Sequence, residues 1–377
     1  MGNQLCASAE EKEQNRRNAQ IERELKNEKD EASGNQKMLL LGTGECGKST
    51  ILKQLRILHS NGYTVSERQA MVPAICSNIV SGMAQILRAR DKYFYISVSK
   101  ETEDDIQHII RLSENCKMRE KFGQVTFEAL LRLREEQKII MLIQECNTYP
   151  HTEHLVYFLW KLEKIYDDSF VPSVEDILKV RIATTGVVKF DFDVKGTIFS
   201  VIDVGGQRSE RRKWIHQFDN VNALIYICAI NEYDQQLNED QRSNRMEESF
   251  ALFDKLCNSR FFHKTSTILF LNKKDLFEKK IQHTSIRTLF KNYAGQDELG
   301  QCIEFLTKEF EKLNTNHRTK RIYTHATCAT DTNQVNIVIE AVIDIVVSDN
   351  LRGTGMEKSE IFGEADVSLE FFENIIH

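Results

Sequence analysis

Leu39-Leu40-Leu41-Gly42-Thr43-Gly44-Glu45-Cys46-Gly47-Lys48-Ser49-Thr50 runs from an apolar segment of strand length into a glycine-rich turn. Ile51-Leu52-Lys53-Gln54-Leu55 then resumes at helical spacing. Gly42, Gly47, Lys48 and Ser49 fill the pattern G-x-x-x-x-G-K-[ST]. In such a turn backbone N–H groups wrap a phosphate chain, and the helix N-terminus adds its positive end. Lys48 is placed to reach the outer phosphates and the Ser49 hydroxyl to ligate Mg²⁺. The competing reading is a chance match in a glycine turn; the strand before and the helix after weigh against it.

The chain has 377 residues, which at roughly 150 per domain suggests two domains. A hydrophobic content of 41% supplies real cores, and 3 prolines with 17 glycines argue against low complexity. A net charge of −6 gives no global pull toward nucleic acid. Nine cysteines (6, 46, 76, 116, 146, 228, 257, 302 and 328) are scattered without a C-x-x-C pair. That suits thiols in a reducing compartment better than a disulfide framework or a zinc site. Ala223 to Ile230 is taken as the longest clean uncharged run and reads as a buried strand, so no membrane span is expected.

Met1-Gly2-Asn3-Gln4-Leu5-Cys6 offers a myristate acceptor at Gly2 and a palmitate acceptor at Cys6. One acyl chain binds membranes marginally, whereas two hold. The sixth position, usually Ser or Thr, is Cys6 here. Residues 8–33 are rich in both charges, with Ile21 and Leu25 nearly the only large apolar side chains, which suits a solvated helix or a partner's handle. His59-Ser60-Asn61-Gly62 reads as a linker. From Glu67 to Lys179 the apolar spacing is helical throughout, as in Ile75, Ile79, Met83, Ile86 and Leu87. Strand patterns return at Val187–Phe192, Thr197–Asp203, Ala223–Ile230, Thr267–Asn272 and Ile322–Thr327. Helical stretches at Arg245–Cys257, Ile303–Leu313 and Val335–Val347 alternate with the later strands. This order predicts an α/β fold with a doubly wound, mostly parallel sheet, ligands at the strands' carboxyl ends, and an inserted all-α domain.

Four stretches sit at those strand ends. In Asp203-Val204-Gly205-Gly206-Gln207 the aspartate can hold Mg²⁺, Gly206 lets its N–H approach a γ-phosphate, and Gln207 can orient an attacking water. In Asn272-Lys273-Lys274-Asp275 the Asp275 carboxylate accepts only, which suits guanine N1–H and its 2-amino group and rejects adenine. Thr327-Cys328-Ala329-Thr330 is a small-residue loop whose N–H groups can meet guanine O6. Arg181-Ile182-Ala183-Thr184-Thr185-Gly186 offers Thr184 as a second Mg²⁺ oxygen and Arg181 as a cation over the transferring phosphate. Singly, each has a bland reading as a turn or a solvated charge. Together, in this order behind a phosphate loop, they point to GTP/GDP with Mg²⁺.

On these residues the chain resembles the α subunits of heterotrimeric G proteins, from Lys37 to Met356, with a look closest to the inhibitory class. The resemblance implies four segments: 1–36, a charged helix for membrane and βγ contact; 37–62 with 180–357, a Ras-like GTPase domain; 63–179, a helical domain; and 358–377, an extension. It implies a slow GTPase switch with Arg181 and Gln207 catalytic. Gly42, Gly44, Glu45, Cys46, Gly47, Lys48, Ser49 and Thr50 would hold nucleotide, joined by Arg181, Thr184, Asp203 and Gly206. Asn272, Lys273, Asp275, Cys328, Ala329 and Thr330 would hold the base side, while Ser49, Thr184 and Asp203 hold the metal. Glu45 would pair with Arg181 in the GDP state, and Glu153 would face Lys273 across the cleft. The partners implied are a βγ dimer on the N-terminal helix and Ser209–Trp214, a G-protein-coupled receptor, GTPase-activating regulators and an effector. The place implied is the cytoplasmic face of the plasma membrane, through Gly2 and Cys6.

The chain departs from the pattern at Thr43 and Cys46, usually alanine and serine, and at Ala183, commonly lysine. Backbone N–H groups hold phosphate, so the first two are tolerable. Thr354 stands where the inhibitory class carries the cysteine that pertussis toxin modifies, so that modification is not expected. Glu357 to His377 runs past the family's usual end, with Ala365, Leu369, Phe372 and Ile376 on one helical face. The rivals to a switch are a scaffold locked to nucleotide and an ATP-dependent phosphate-loop enzyme. Arg181 with Gln207 argues against the first, and Asn272–Asp275 with Thr327–Thr330 against the second.

Overall fold

The computed structural model describes residues 35–90, 97–114, 120–145, 152, 154–237, 239–240, 242–263, 265–317 and 320–354. Gly2, Cys6, the 8–33 segment, Glu153 and the 358–377 extension lie outside the described residues.

Strand β1 (Asn35–Leu41) ends in four consecutive buried apolar residues, Met38 to Leu41. Alternate side chains leave a strand on opposite faces, so Leu39 and Leu41 join one core and Met38 and Leu40 the other. Each buried side chain of this kind contributes about 2 kcal/mol. A strand apolar on both faces belongs inside a covered parallel sheet. β1 accordingly runs parallel to β3 (Thr197–Val204) on one side and β4 (Ala223–Ala229) on the other. The six-stranded sheet continues through β5 (Ser266–Asn272) and β6 (Ile322–Thr327), both parallel, in the order β2-β3-β1-β4-β5-β6. Only β2 (Val187–Val194) is antiparallel, paired with β3 at the edge. The neighbours of β1 are reached in opposite directions, so a crevice opens at its carboxyl end.

Helix α1 (Lys48–His59) follows β1, and its Ile51 and Leu55 pack on the Met38 face. Among the described residues, eight helices follow before the chain returns to the sheet: α2 (Val65–Gln69), α3 (Val72–Ala89), α4 (Lys100–Glu114), α5 (Gln124–Glu135), α6 (Gln137–Glu145), α7 (Leu155–Leu159), α8 (Leu162–Tyr166) and α9 (Val174–Lys179). They enclose a separate core of Ile75, Ile79, Met83, Leu130, Leu133 and Phe158, with no buried residue in common with the two sheet cores. The fold is thus a Ras-like doubly wound domain carrying an all-helical insert. The later helices are α10 (Arg245–Cys257), α11 (Lys274–Ile281), α12 (Leu299–Lys312) and α13 (Thr332–Thr354). Phe253 of α10 and Phe310 of α12 cover the Leu39 face, while Val342 and Val346 of α13 cover the other.

Several sequence expectations shift. Residues 65–89 are in fact long and apolar enough to cross a membrane by length and composition, a run the charge reading had passed over. Half of its most apolar 18 residues is buried inside the helical insert, where Ile75, Ile79 and Met83 are core. His59 belongs to α1 rather than to the linker, because its ring stacks on Phe192 of β2 at 4.4 Å. α12 and α13 start earlier than Ile303 and Val335, and β2 runs on to Val194. Cys46, Cys76, Cys228, Cys257, Cys302 and Cys328 are free thiols, in line with the cysteine reading.

Candidate nucleotide-binding site

The turn from β1 to α1 is held by backbone geometry that its residues dictate. Gly47 caps α1 at φ +109, and a Cβ there would lie 2.2 Å from the Asn272 amide nitrogen. Glu45 takes the left-handed region without being glycine, at φ +67. α1 has no side-chain cap and no acid in its first turn, so its N-terminal dipole is not countered by its own sequence. Lys48 folds back, and its Nζ donates to the carbonyls of Gly42 (3.0 Å) and Thr43 (2.7 Å). Cys46 is fully buried beneath the turn, and that burial pushes its thiol pKa up.

Beside it, three side chains from distant elements meet. Ser49 Oγ donates to Asp203 Oδ2 at 2.6 Å and lies 2.5 Å from Thr184 Oγ1, which itself donates to Asp203 Oδ2 at 3.0 Å. Asp203 Oδ1 is buried without a hydrogen-bond partner. Burial raises the Asp203 pKa, while Lys48 and the two hydroxyls pull it back. Two hydroxyls and a carboxylate with an unsatisfied oxygen are an all-oxygen donor set, the chemistry a small hard cation such as Mg²⁺ requires. The residues fit the metal.

Gly206 presses against the same place: a Cβ on it would sit 2.4 Å from Lys48 Nζ and 2.5 Å from the Thr43 carbonyl. Gln207 is exposed and lies next to Gly44. Arg181 pairs with Glu45, Nη2 to Oε1 at 2.7 Å. Its backbone is pinned by Asn78 of α3, which accepts from Arg181 N–H at 2.6 Å and donates to its carbonyl at 2.9 Å. Lys53 of α1 donates to the carbonyls of Ile177 (2.8 Å) and Val180 (2.6 Å), and its burial drives its pKa down to about 8.

On the far side, Asn272 is spent on the protein itself. Its amide nitrogen donates to the Cys46 carbonyl at 2.7 Å, and its oxygen accepts from Ala329 N–H at 3.0 Å and Thr327 Oγ1 at 3.1 Å. It therefore braces the phosphate loop against the loop after β6. The N–H of Cys328 likewise donates to Gln334 Oε1 at 2.5 Å, so these two amides are not the open donors the sequence suggested. The reason is local: Gln334 in the first turn of α13 reaches back to the loop. Lys273 stands at φ +63 before α11, its Nζ 3.1 Å from Glu232 Oε1.

One cleft unites these pieces. It is lined by Gly44, Glu45 and Gly47–Thr50, by Arg181 and Thr184, by Gly206 and Gln207, by Asn272, Lys273 and Asp275, and by Cys328–Thr330. Among the expected residues Gly42, Cys46 and Asp203 stand behind its wall. The pattern of the G-protein alpha subunit family matches residues 15–346. The chain belongs to that family. An alpha-15 subunit of Caenorhabditis briggsae is 49% identical over 352 residues, 93% of this chain and 99% of the relative. An alpha-17 subunit of Caenorhabditis elegans is 45% identical over 354 residues, with the same coverage. A G(o) subunit alpha of Locusta migratoria is 41% identical over 352 residues, again 93% of this chain and 99% of the relative. The α subunit is thus a guanine-nucleotide-binding signal transducer and a GTPase that binds GDP and GTP and uses Mg²⁺.

Sequence reasoning overlooked four of the α subunit's contacts. Asn78 lies 103 residues before Arg181, in a helix with no motif, and carried no signal. Lys53 and Arg245 read as ordinary helix residues. Glu232 did carry one, because it follows β4 at a strand end like the other motifs.

Proposed function

We propose that this α subunit is a GDP/GTP switch worked by the residues of this cleft. The turn from Gly42 to Thr50 cradles the phosphates, and Lys48 exchanges the Gly42 and Thr43 carbonyls for phosphate oxygens. Ser49, Thr184 and Asp203 hold Mg²⁺, which when bound offsets charge on the phosphate oxygens. Gln207 orients the attacking water, and Arg181 leaves Glu45 to face the transferring phosphate. Asp275 accepts from guanine N1–H and its 2-amino group. Thr184 and Gly206 order around the γ-phosphate and are released on hydrolysis. The segments 37–62 with 180–357 form the GTPase domain and 63–179 the helical domain. The 1–36 segment and Ser209–Trp214 bind a βγ dimer in the GDP state, and the chain couples a receptor to an effector. Gly2 and Cys6 carry acyl chains that hold the protein at the cytoplasmic face of the plasma membrane.

The observation that supports the switch most is the meeting of Ser49, Thr184 and Asp203 beside Gly206, with Asp203 Oδ1 buried and unpartnered. Residues from three separate segments converge there, and Thr184 and the neighbouring Gly206 sit in loops that a γ-phosphate can reorder. The test reads Trp214, whose indole N–H donates to the Gly205 carbonyl at 2.8 Å. Fluorescence should rise when GDP is exchanged for a slowly hydrolysed GTP analogue with Mg²⁺, and stay unchanged with an ATP analogue. The chain's other tryptophan, Trp160, sits exposed on the helical insert, so Trp214→Phe should remove the response. Bound analogue without a change in the parent protein would favour the locked scaffold.

A further inference from the structure

Five charged side chains of alternating sign form a chain in which Arg181, Glu45 and Lys273 line the cleft and Arg245 and Glu232 lie buried behind it. Arg181 Nη2 meets Glu45 Oε1 at 2.7 Å, and Glu45 Oε2 lies 3.5 Å from Arg245 Nη2. Arg245 Nε meets Glu232 Oε2 at 2.7 Å, and Glu232 Oε1 meets Lys273 Nζ at 3.1 Å. Arg245 Nη2 also donates to the Gly44 carbonyl at 3.0 Å. The phosphate loop and the base loop are thereby tied through two side chains that belong to neither. Both Glu45 and Lys273 have left-handed backbones, at φ +67 and +63, so each end of the tie stands where a non-glycine residue needs holding.

Exposure separates the two inner members from Arg181. The Arg245 side chain is 3% exposed and that of Glu232 4%, whereas that of Arg181 is 40% exposed. A buried guanidinium with a carboxylate and a carbonyl on it does not leave, because departure would strand a buried charge. Arg181 has no such burial. One carboxylate, Glu45, therefore serves two guanidiniums, one immobile and one able to move.

We propose that Arg245, anchored by Glu232, is a positioning residue for GTP hydrolysis that competes with Arg181 for Glu45. This rests on the reading of Arg181 as the cation that moves to the transferring phosphate. Arg245 takes part of the Glu45 charge and so loosens its grip on Arg181. Without Arg245, Glu45 has Arg181 as its cation in this ladder and holds it more tightly.

The test is single-turnover hydrolysis of GTP preloaded on the full chain. Arg245→Gln should slow hydrolysis about tenfold, and Glu45→Gln in that background should restore it to within about threefold of the parent. A merely structural role for Arg245 would not be rescued by changing Glu45. Because Arg245→Gln breaks a buried pair and can fail to fold, Glu45→Gln alone supplies a second reading. It leaves Arg245 on Glu232 and should hydrolyse faster than the parent. An Arg245→Gln rate equal to the parent's, a defect that Glu45→Gln does not relieve, or a Glu45→Gln single variant no faster than the parent overturns the proposal. Arg181→Ala separates the two levels. If it hydrolyses like the parent, the role of Arg181 falls and this inference with it. If it is slow while Arg245→Gln is normal, this inference alone falls.

Discussion

Ser49 Oγ at the start of α1 and Asp203 Oδ2 at the end of β3 are 2.6 Å apart across 154 residues of chain. The second Asp203 oxygen has no partner and is buried, so replacing the carboxylate removes the one negative charge in this oxygen set. Asp203→Asn should weaken Mg²⁺ by at least about tenfold. The measurement is the Mg²⁺ dependence of GTP-analogue dissociation, which should flatten in the variant while GDP still binds.

Gly206→Ala puts a methyl group 2.5 Å from the Thr43 carbonyl and 2.7 Å from that of Gly42. Backbone cannot move aside as a side chain can, so the loop must retreat. Overpacking of this kind costs about 1–3 kcal/mol. The expected outcome is a Trp214 fluorescence signal that no longer responds to the GTP analogue, with a modest fall in Tm.

Asp275→Asn replaces two acceptor oxygens by one acceptor and one donor. Guanine presents two donors there, and losing one charged hydrogen bond while opposing a donor with a donor should weaken GTP about a hundredfold. Xanthine carries a carbonyl in place of the 2-amino group, so xanthosine triphosphate should gain on GTP in the variant. Competition against labelled GTP checks both directions.

Lys53 has its pKa pushed down to about 8 by burial, from the ordinary 10.5. Between those values the unfolded chain holds a proton that the folded chain has lost, so stability rises with pH across the window. Below pH 8 both states are protonated and the folded one carries the full desolvation penalty. The shift corresponds to about 3 kcal/mol at most. Tm measured from pH 7.5 to 10.5 under constant GDP should show this rise relative to Lys53→Met, which lacks the titrating group.

Much of the site was legible because its chemistry is local in sequence. Gly42 to Ser49, Asp203 to Gln207 and Asn272 to Asp275 each follow an apolar run of strand length that forms a buried strand, and a strand end fixes where its loop must lie. The roles of Asn272, Cys328 and Ala329 were less legible. Their hydrogen bonds run to Cys46 and Gln334 as well as to each other, and such partners appear only once β1, β4, β5 and β6 stand side by side. The 65–89 run shows the same limit from the other side: composition admits a membrane helix, and packing against α4 and α7 makes it a core helix.

The amino-acid sequence alone determined the strand order's raw material, the insertion of helices after α1 and the phosphate, metal and base motifs, because periodicity and short-range spacing encode them directly. Only the tertiary structure decided which motif residues touch one another and which outsiders support them. Asn78 on Arg181, Lys53 on Val180 and the Glu45–Arg245–Glu232–Lys273 ladder join residues far apart in the chain. No local propensity encodes such pairs; they arise only when loops and helices far apart in the chain are brought together by the packed cores.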